Sequence, residues 1–487
     1  MIPILNSSQM KTCDSQTITN HHIPACVLIE RAALACVNEI TSRYSTDNTV
    51  SILCGPGNNG GDGVAIGRLL HIAGFDVKLL VLGNPEKYSS DLIAEINIAK
   101  SYNTYFANSL DELSDSDIII DAIFGIGLSR PVTGEFEEAI EFINKAEGFT
   151  LSVDIPSGYS ADTGVILGYG VKADLTVTFG FIKTGLLLSD CRLNTGELVK
   201  SDVGIYLSDD VIMDTHLVED SDLSAVPPRP INANKGTCGK VLVIAGSSNI
   251  YGACYLSAKA ALTTGSGLVK IYTHPNNIAS IQQNLPEAMY IPADELAQTD
   301  LLNTVNWADA VILGPGLSTN RRAQELVSFT IKNATCPILI DADGLNFLAD
   351  NLSLLDEAKS NIVITPHLKE MSRLCGCSVS DINSDMLSIA TEFASTHNCT
   401  VVLKNFTTVI ASPTGTRYIC NSGNEALATA GSGDVLSGII GSLLGQGLSP
   451  DQSAYIGAFI HGKAGSEASK TTGIKGLLAS DIIGHIN

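Results

Sequence analysis

The stretch Cys54-Gly55-Pro56-Gly57-Asn58-Asn59-Gly60-Gly61-Asp62-Gly63 decides the fold of the first half of this 487-residue chain. It follows a short apolar run, Val50 to Leu53, and precedes a helix-patterned segment, Val64 to Gly74. A strand, a glycine-rich turn and a helix form an anion-binding unit, because the helix N-terminus offers free N–H groups and the positive end of its dipole. The asparagines and Asp62 add side-chain oxygens, which predict a cation or sugar beside the amides.

The same stretch also fits another interpretation. Gly55, Gly57 and Gly60 match the G-x-G-x-x-G pattern of dinucleotide-binding folds. That fold requires an acidic residue at the end of the next strand. Here the strand predicted from Val77 to Leu82 ends in Gly83-Asn84-Pro85. Plain dinucleotide redox binding is therefore disfavoured.

Length and composition limit the class of protein. A chain of 487 residues exceeds what one core normally supports, so we expect two domains. A hydrophobic content of 45% with 16% charged residues predicts a well-buried chain, and the net charge of −22 disfavours a nucleic-acid partner.

Targeting signals and cysteine spacing predict where the protein works. The N-terminus lacks a secretion-signal pattern and no apolar run approaches 18 residues, so we expect neither secretion nor membrane spanning. The twelve cysteines show no paired C-x-x-C spacing. This usage predicts reduced thiols in a cytoplasmic protein.

Alternating apolar runs and helix-length segments predict an α/β protein with parallel sheets covered on both faces, hence two three-layer α/β/α domains. The segment Ile23 to Ile40 is predicted helical, either capping the sheet or meeting another subunit. The predicted strands are Val50–Cys54, Val77–Leu82, Asp117–Phe124, Thr150–Ile155 and Leu175–Phe179, then Lys240–Ala245, Leu268–Tyr272, Ala310–Leu313, Ile338–Ile340, Ile362–Ile364 and Val401–Ile410.

A linker is predicted between the two series of strands. Residues 208–222 are acidic and aperiodic, and Val226-Pro227-Pro228-Arg229-Pro230 lacks the donors that regular structure needs. We therefore predict domains at 1–207 and 231–487, joined by 208–230.

Three predicted strand ends in the first domain carry polar residues. They are Asn58 to Asp62, Asp121 to Pro131, and Asp154 to Gly158. Ligands bind at the carboxyl edge of open α/β sheets, so we expect one site there. Oxygen ligands from Asn59, Asp121 and Ser157 suit an alkali or alkaline-earth cation, although Asp121 alone also fits a turn or helix cap. Asp154, at a shielded strand end, is the candidate acid or base.

These segments resemble the N-terminal domain of NAD(P)H-hydrate repair enzymes, which have a G-x-x-N-x-G-G-D-G loop. Gly55 to Gly63 matches that loop, and Asp121 to Gly127 and Asp154 to Gly158 match D-x-x-F-G-x-G and D-x-P-S-G. The resemblance implies a Rossmann-like epimerase with K⁺ at Asn59, Asp121 and Ser157, and with Asp154 beside the reacting carbon. The implied substrate contacts are Asn58, Asn59, Gly60, Gly61, Asp62, Gly125, Ile126, Gly127, Leu128, Ser129, Arg130, Pro131 and Asp154.

The most distinctive motif of the second half is Gly431-Ser432-Gly433-Asp434, which opens a predicted helix. Its amides would form an anion hole, and Asp434 could take a proton from a hydroxyl that attacks phosphate, although an N-cap role also explains an Asp. The segment Thr365 to Glu370 ends a predicted strand and begins a helix. His367 could contact the substrate and Glu370 could orient a metal-bound water, and helix capping is the alternative for both residues. Lys404 to Thr408 supplies polar groups suited to a nucleotide.

Together with G-P-G-L and D-A-D-G-L-N segments, these motifs resemble the ribokinase-like superfamily, most closely its NAD(P)H-hydrate dehydratase branch. The resemblance implies hydrate contacts at Ala253, Gly316, His367 and Asp434, with Asp434 catalytic. It implies a nucleotide site at Lys404, Asn405, Phe406, Thr407, Thr408 and Gly433.

The combined resemblance implies repair of hydrated NADH and NADPH (NADHX and NADPHX) by an epimerase fused to a dehydratase. ADP with Mg²⁺ is the expected co-substrate, and a homo-oligomer, tetramer or larger, is the expected assembly. Two alternatives stay open: a kinase for a vitamin precursor, and a binding scaffold, because the first fold also occurs in an mRNA-decapping scaffold.

Overall fold

The computed structural model describes residues 1–113, 116–248, 250–293 and 298–486. The chain divides into two compact units. The N-terminal unit is Pro3–Met213, and the C-terminal unit runs from Asp214 onward together with Met1 and Ile2. No helix in the described ranges combines the length and the apolar character needed to cross a bilayer.

The N-terminal unit is built on a parallel sheet of order β4-β3-β2-β5-β6-β7-β9, and β1 pairs separately with β8. Its strands are β1 (Ile2–Leu5), β2 (Thr49–Cys54), β3 (Asp76–Val81), β4 (Tyr105–Phe106), β5 (Ile118–Ala122), β6 (Phe149–Val153), β7 (Leu175–Phe179), β8 (Ile182–Lys183) and β9 (Glu197–Ser201). Its helices are α1 (Ser7–Thr19), α2 (Ala25–Arg43), α3 (Asn58–Ile72), α4 (Ser90–Ser101), α5 (Glu135–Lys145) and α6 (Ser189–Asn194).

Apolar cores cover both faces of this sheet. Strand residues such as Ile52 pack with α2, α3 and α4 on one face, whereas Leu53 packs with α5 on the other. Helix α2 therefore covers the sheet, which was one of the two placements predicted for residues 23–40. The three-layer prediction is confirmed for this unit.

The glycine-rich stretch lies largely inside helix α3, which begins at Asn58 and not at the predicted Val64. A Cβ atom at Gly63 would lie 2.5 Å from the Cβ of Ala122 and 2.8 Å from the Sγ of Cys54. A Cβ at Gly60 would lie 1.9 Å from the carbonyl oxygen of Gly55. The glycines thus bring the first turns of α3 directly onto the sheet, a packing role that the sequence pattern did not indicate.

The C-terminal unit has a mixed sheet of order β13-β12-β11-β14-β15-β16-β17-β18-β19-β10, parallel except where β18 meets β17 and β19. Its strands are β10 (Thr215–Leu217), β11 (Lys240–Ile244), β12 (Leu268–Thr273), β13 (Met289–Pro292), β14 (Ala310–Leu313), β15 (Ile338–Ile340), β16 (Ile362–Ile364), β17 (Thr400–Leu403), β18 (Thr408–Ala411) and β19 (Arg417–Cys420).

The helices of this unit, the last three of which follow β19, are α7 (Gly252–Thr263), α8 (Pro275–Asn284), α9 (Gln298–Asn306), α10 (Arg321–Asn333), α11 (Asp343–Ala349), α12 (Ser353–Asp356), α13 (Leu368–Cys375), α14 (Val379–Ser384), α15 (Met386–Thr396), α16 (Ser432–Gly445), α17 (Pro450–Thr472) and α18 (Ala479–Gly484). Helices α7, α16, α17 and α18 share one apolar core with the sheet. Helix α16 is buried almost all round, as expected of a helix that is apolar on every side.

Two predictions need correction. The run Val401 to Ile410 is not one strand, because residues 404–407 form a polar turn that reverses the chain into antiparallel β18. Part of the predicted linker is also regular, since Thr215–Leu217 pairs in parallel with Arg417–Ile419 and a 3₁₀ turn covers Asp220–Ala225. The limits of the functional domains stay a prediction.

Candidate active sites

A cavity of about 700 Å³ opens at the carboxyl ends of β2, β5 and β6 in the N-terminal unit. Of the predicted substrate residues, Asn58, Asn59, Asp62, Asp154 and 125–130 line it. Gly60 and Gly61 are buried in the first turn of α3, and Pro131 is exposed beyond Arg130. The three predicted strand-end clusters therefore converge on one cavity, and its other wall comes from α1 and α2, which the sequence did not indicate.

Asp154 follows β6 in a strained backbone conformation, with φ of 68°. Its Oδ1 accepts hydrogen bonds from the Thr178 hydroxyl (3.2 Å), from the Phe179 amide (3.3 Å) and from the Lys183 ammonium. Strain of this kind persists where surrounding contacts fix the residue. Among the described residues all three donors reach Oδ1, so Oδ2 stays available to a ligand in the cavity.

Lys183 also lines this cavity, and it was not predicted from the sequence. It is 1% exposed, and its ammonium also donates to the Thr178 hydroxyl (3.1 Å) and to the Phe179 carbonyl (2.9 Å). A buried ammonium needs an anionic partner, and Asp154 provides it. A single lysine within the apolar segment 181–188 is the signal that could have found it.

We expect Lys183→Met to destabilise the N-terminal unit by about 3–5 kcal/mol, because the shielded Asp154 carboxylate would lose its cationic partner. Hydrogen exchange of β7 peptides measures this, while fluorescence of Trp307, the single tryptophan of the chain, follows the C-terminal unit. The double variant Asp154→Asn with Lys183→Met is the control, because it leaves no isolated charge. Equal protection in the wild type and in Lys183→Met would contradict the expectation.

Asp121 and Ser157 are joined by hydrogen bonds, and Asn59 lines the cavity. Asp121 is fully buried and accepts hydrogen bonds from Ser152 Oγ (2.8 Å), Ser157 N (2.8 Å) and Ser157 Oγ (2.5 Å). Burial raises the pKa of Asp121, and these hydrogen bonds oppose the rise.

Nearby, the buried Nδ2 atom of Asn59 has no hydrogen-bond partner among the described residues, and its side chain approaches Gly125. If the Asn59 side chain is oriented so that its amide oxygen binds a cation, its amide nitrogen is left without a hydrogen-bond partner. The donor set is oxygen only, as alkali and alkaline-earth cations prefer, so these residues fit such an ion.

In the C-terminal unit, Asp434 lies in the first turn of α16, three residues after the N-cap Gly431, whose φ is 86°. Burial raises the pKa of Asp434 to about 7, the nearby Asp341 carboxylate adds to the rise, and Lys404 opposes it. The N–H groups of this helix terminus are suited to bind an anion. Asp434 thus combines a position beside an anion site with a pKa suited to proton transfer near neutrality.

Lys404 is held beside this helix terminus by Asp341. The Lys404 ammonium lies 3.0 Å from Asp341 Oδ1, and the Ser437 hydroxyl donates to Asp341 Oδ2 at 2.7 Å. A Cβ atom placed on Gly433 would lie 3.5 Å from Lys404 Nζ. Two predicted nucleotide residues, Lys404 and Gly433, therefore adjoin each other and Asp434, while Asp341 is a fixing residue that was not predicted.

His367 caps helix α13, which was the alternative to substrate contact. Its Nδ1 accepts from the amides of Lys369 and Glu370, both at 3.1 Å, and the Glu370 carboxylate accepts from the His367 amide at 2.8 Å. Burial lowers the pKa of His367 and raises the pKa of Glu370. Because Nδ1 is an acceptor, the neutral ring carries its proton on Nε2, which lies 3.5 Å from Glu370 Oε1.

The other predicted contacts lie at the start of α7, at Gly316 and in residues 405–408. Ala253, at the start of α7, lies beside Gly316, where an added Cβ would be 3.1 Å from that of Ala253. In the 404–407 turn the Asn405 amide faces Asn383 Oδ1 (3.3 Å), Phe406 is exposed, and Thr407 is buried. Thr408 begins β18 half-buried.

One further contact within the anion-binding motif was not predicted. The Ser432 hydroxyl lies 3.0 Å from Nε2 of the buried His461 on α17. Burial lowers the pKa of His461 to about 4, so the ring is neutral near pH 7. His461 lies 29 residues beyond Ser432 in an ordinary-looking helix, so only the tertiary structure indicates it.

Comparison with known proteins identifies the family. A family model described as NAD(P)H-hydrate dehydratase matches residues 241–487, and one described as YjeF-related protein N-terminus matches 25–185. The bifunctional NAD(P)H-hydrate repair enzyme Nnr of Thermofilum pendens is 35% identical over 98% of this chain and 94% of its own length. The chain belongs to the bifunctional NAD(P)H-hydrate repair enzymes. The family member from Escherichia coli K12 is also 35% identical, over 93% of this chain and 87% of its own.

Solved structures support the same assignment for the C-terminal part of this repair enzyme. An ADP/ATP-dependent NAD(P)H-hydrate dehydratase from Bacillus subtilis, co-crystallised with ATP and Mg²⁺, matches with a TM-score of 0.50 and 27% identity. The match covers 56% of this chain and 97% of the Bacillus chain. A ribokinase-like superfamily protein from Enterococcus faecalis matches with a TM-score of 0.50 and 25% identity, over 57% and 96% of the two chains. The predicted ribokinase-like fold is confirmed.

Proposed function

We propose that this chain repairs hydrated NADH and NADPH at two separate sites. The N-terminal unit interconverts the R and S epimers at C6, and the C-terminal unit dehydrates the S epimer at the expense of ADP. Membership of the repair-enzyme family supports the two activities. One observation carries the residue assignments: each unit places a shielded carboxylate close to a lysine. Asp154 lies beside Lys183 in the N-terminal unit, and Asp434 lies near Lys404 in the C-terminal unit.

Dehydration needs activation because hydroxide is a poor leaving group. Asp434 accepts the proton of the C6 hydroxyl as its oxygen attacks the terminal phosphorus of the nucleotide and AMP leaves. The amides at the start of α16 and the Lys404 ammonium stabilise the negative charge that develops. Phosphate then leaves C6, assisted by the ring nitrogen, and loss of a C5 proton restores the reduced nicotinamide. Magnesium bound with the nucleotide would neutralise phosphate charge.

Three kinds of group surround this centre in the proposal. His367, Gly316 and Ala253 contact the hydrate, and residues 404–408 contact the nucleotide. Gly433 supplies its backbone N–H group close to Lys404. Support comes from the positions of Lys404, Gly433 and Asp434 around one helix terminus.

At the epimerase site, Asp154 Oδ2 takes part in proton transfer at C6 while Lys183 holds Oδ1. Asn58 to Asp62 and Gly125 to Pro131 hold the substrate. Potassium held by Asn59, Asp121 and Ser157 would supply positive charge next to the substrate. The unpartnered Asn59 amide nitrogen and the all-oxygen donor set support that assignment.

The deciding experiment mixes the protein with both NADHX epimers, Mg²⁺, K⁺ and ADP, and follows absorbance of the reduced nicotinamide; a parallel sample contains ATP. Full recovery of NADH is expected, and faster with ADP. Recovery of the S fraction alone would reject the epimerase assignment. A stable phosphorylated product without NADH would indicate the kinase alternative.

The pH dependence of dehydration is expected to follow Asp434. The base must be ionised to accept a proton, and burial raises the pKa of Asp434 to about 7. The dehydration rate at low substrate concentrations should therefore rise with pH through about 7. Initial rates on pure S-NADHX between pH 5.5 and 8.5 measure it. A rate that stays level across this range would contradict the role of Asp434 as base.

We also propose a homo-oligomer, tetramer or larger, in a reducing, cytoplasmic location. Family resemblance supports the first, and sedimentation velocity tests it. The twelve cysteines, all without disulfide partners in the described structure, support the second.

A further inference from the structure

Helix α1 presents one face to the epimerase cavity. Met10, Asp14 and Ile18 are spaced four residues apart, so they lie on one side of the helix, and all three line the cavity. Met10 and Cys13 pack in a small apolar core with Leu5. The Tyr206 amide donates to the Thr17 hydroxyl at 2.9 Å. These contacts fix the helix, and with it the direction of Asp14.

The Asp14 carboxyl group has no hydrogen-bond partner anywhere in the described ranges, although the residue is half-buried in the cavity wall. The charged and titratable groups that face it are Lys183 and Asp154 across the cavity, Asp62 on α3, and Lys11 on its own helix. Burial raises the pKa of Asp14 to about 6, with Lys183 opposing and Asp154 adding to the rise. Asp14 is thus an unpaired carboxyl group that faces Asp154, whose carboxylate is paired with Lys183.

Inversion at C6 of a nicotinamide hydrate requires a bond to C6 to break and re-form on the opposite face. Opening of the C6–N1 bond needs one group to accept the hydroxyl proton and another to protonate N1. Loss of hydroxide would instead leave a cationic ring and a free hydroxide in a cavity whose wall is partly apolar, at Met10, Ile18, Leu28, Ile29 and Ala32. Ring opening with simultaneous proton transfers releases no free ion into the cavity, so it is the favoured route.

We propose that Asp14 is the proton donor of the epimerase and acts on N1 while Asp154 accepts the C6 hydroxyl proton, an assignment that rests on the proposed function. The C6–N1 bond breaks, and its electron pair stays on N1 and takes the proton of Asp14. At the same time Asp154 takes the proton of the C6 hydroxyl, and the electron pair of that O–H bond forms the C6=O bond. Rotation about C5–C6 presents the other carbonyl face. N1 then attacks, returns its proton to Asp14, and the oxygen recovers its proton from Asp154.

Asp62 is the competing donor, but its surroundings disfavour it. Burial raises the pKa of Asp62 well above its usual range, and the carboxylates of Asp154, Asp14, Glu95 and Asp91 add to the rise. The raised pKa makes Asp62 reluctant to release its proton. Asp14 instead faces the Lys183 ammonium, which opposes the rise in its pKa and favours release of the proton.

Asp14→Asn tests this assignment in the full-length protein. We expect the epimerisation rate, corrected for the enzyme-free blank, to fall about 10²-fold or more, while dehydration of pure S-NADHX is unchanged. Asp14→Glu should restore part of the rate. Asp76→Asn, an exposed residue of the same unit, removes an equal charge and should have no effect.

The pH profile separates a proton donor from a structural residue. Asp14 must be protonated to act, so epimerisation by the wild type should decline as pH rises through about 6. Asp14→Asn should lose this decline. An Asn variant with the wild-type rate, or one that keeps the decline, would overturn the proposal, as would uptake of one solvent oxygen per epimerisation in ¹⁸O-water. A wild type no faster than the blank would instead reject the proposed epimerase function.

Discussion

Replacing Asp154 by asparagine is expected to slow epimerisation by about 10²- to 10⁴-fold, the range for loss of a general acid–base group. The amide keeps the size of the side chain but cannot accept the C6 hydroxyl proton. The measurement is conversion of R-NADHX to the S form. Dehydration of pure S-NADHX by the same variant should be unchanged, because Asp434 lies in the other unit.

A loss of activity through misfolding must be separated from a loss of chemistry. Asp154→Asn leaves the buried Lys183 ammonium with a neutral partner, so hydrogen exchange of β7 should be compared with that of the Asp154→Asn, Lys183→Met double variant. If the double variant is well protected but still inactive, Asp154 acts in catalysis. Wild-type epimerisation by Asp154→Asn would remove it from the mechanism.

Replacing Asp434 by asparagine is expected to have the second large effect, lowering dehydration by about 10²- to 10⁴-fold. The variant cannot take the hydroxyl proton, yet it keeps the anion-binding amides of α16 and the Lys404–Asp341 pair. NADH formation from pure S-NADHX measures the loss, and the epimerase rate is the internal control. Asp350→Asn, at an exposed position of the same unit, is the matched variant. An active Asp434→Asn protein would require another base.

The same variant should be more stable than the wild type at alkaline pH. The folded pKa of Asp434, about 7, lies above its ordinary value of 3.8, so ionisation disfavours the folded state as pH rises between these values. Asp434→Asn removes that cost. Its melting temperature, followed by Trp307 fluorescence, should therefore exceed that of the wild type at pH 8 and approach it near pH 4. Equal melting temperatures at both pH values would contradict the raised pKa.

The buried strands were predictable because they are continuous apolar runs, as in Ala310–Leu313 and Ile362–Ile364, which the structure reproduces residue for residue. Strands such as Tyr105–Phe106 and Glu197–Ser201 were missed, because their half-exposed residues carry little hydrophobic signal. The early start of α3 was missed for a different reason: glycines ordinarily predict a turn, and here close packing against the sheet overrides that preference.

The candidate sites were predictable where chemistry coincides with a strand end. Asn58, Asp154 and Asp434 each follow a glycine-rich or apolar segment that marks the edge of a sheet. Asp14 and Lys183 follow no such segment. Their importance depends on residues that are distant in the sequence and close only in the folded chain. Asp14 lies 140 residues before Asp154, and nothing in its local pattern distinguishes it from an exposed helical aspartate.

The glycines of α3 have a consequence for recognising enzymes of this fold. Because Gly60 and Gly63 are required for the helix to fit against the backbone of Gly55 and the side chain of Ala122, selection for folding alone is enough to retain them. A descendant could lose Asp154 and Lys183, cease to be a catalyst, and still carry the whole glycine signature. The glycine signature therefore indicates common descent, whereas the presence of Asp154 and Lys183 distinguishes an active epimerase from an inactive relative.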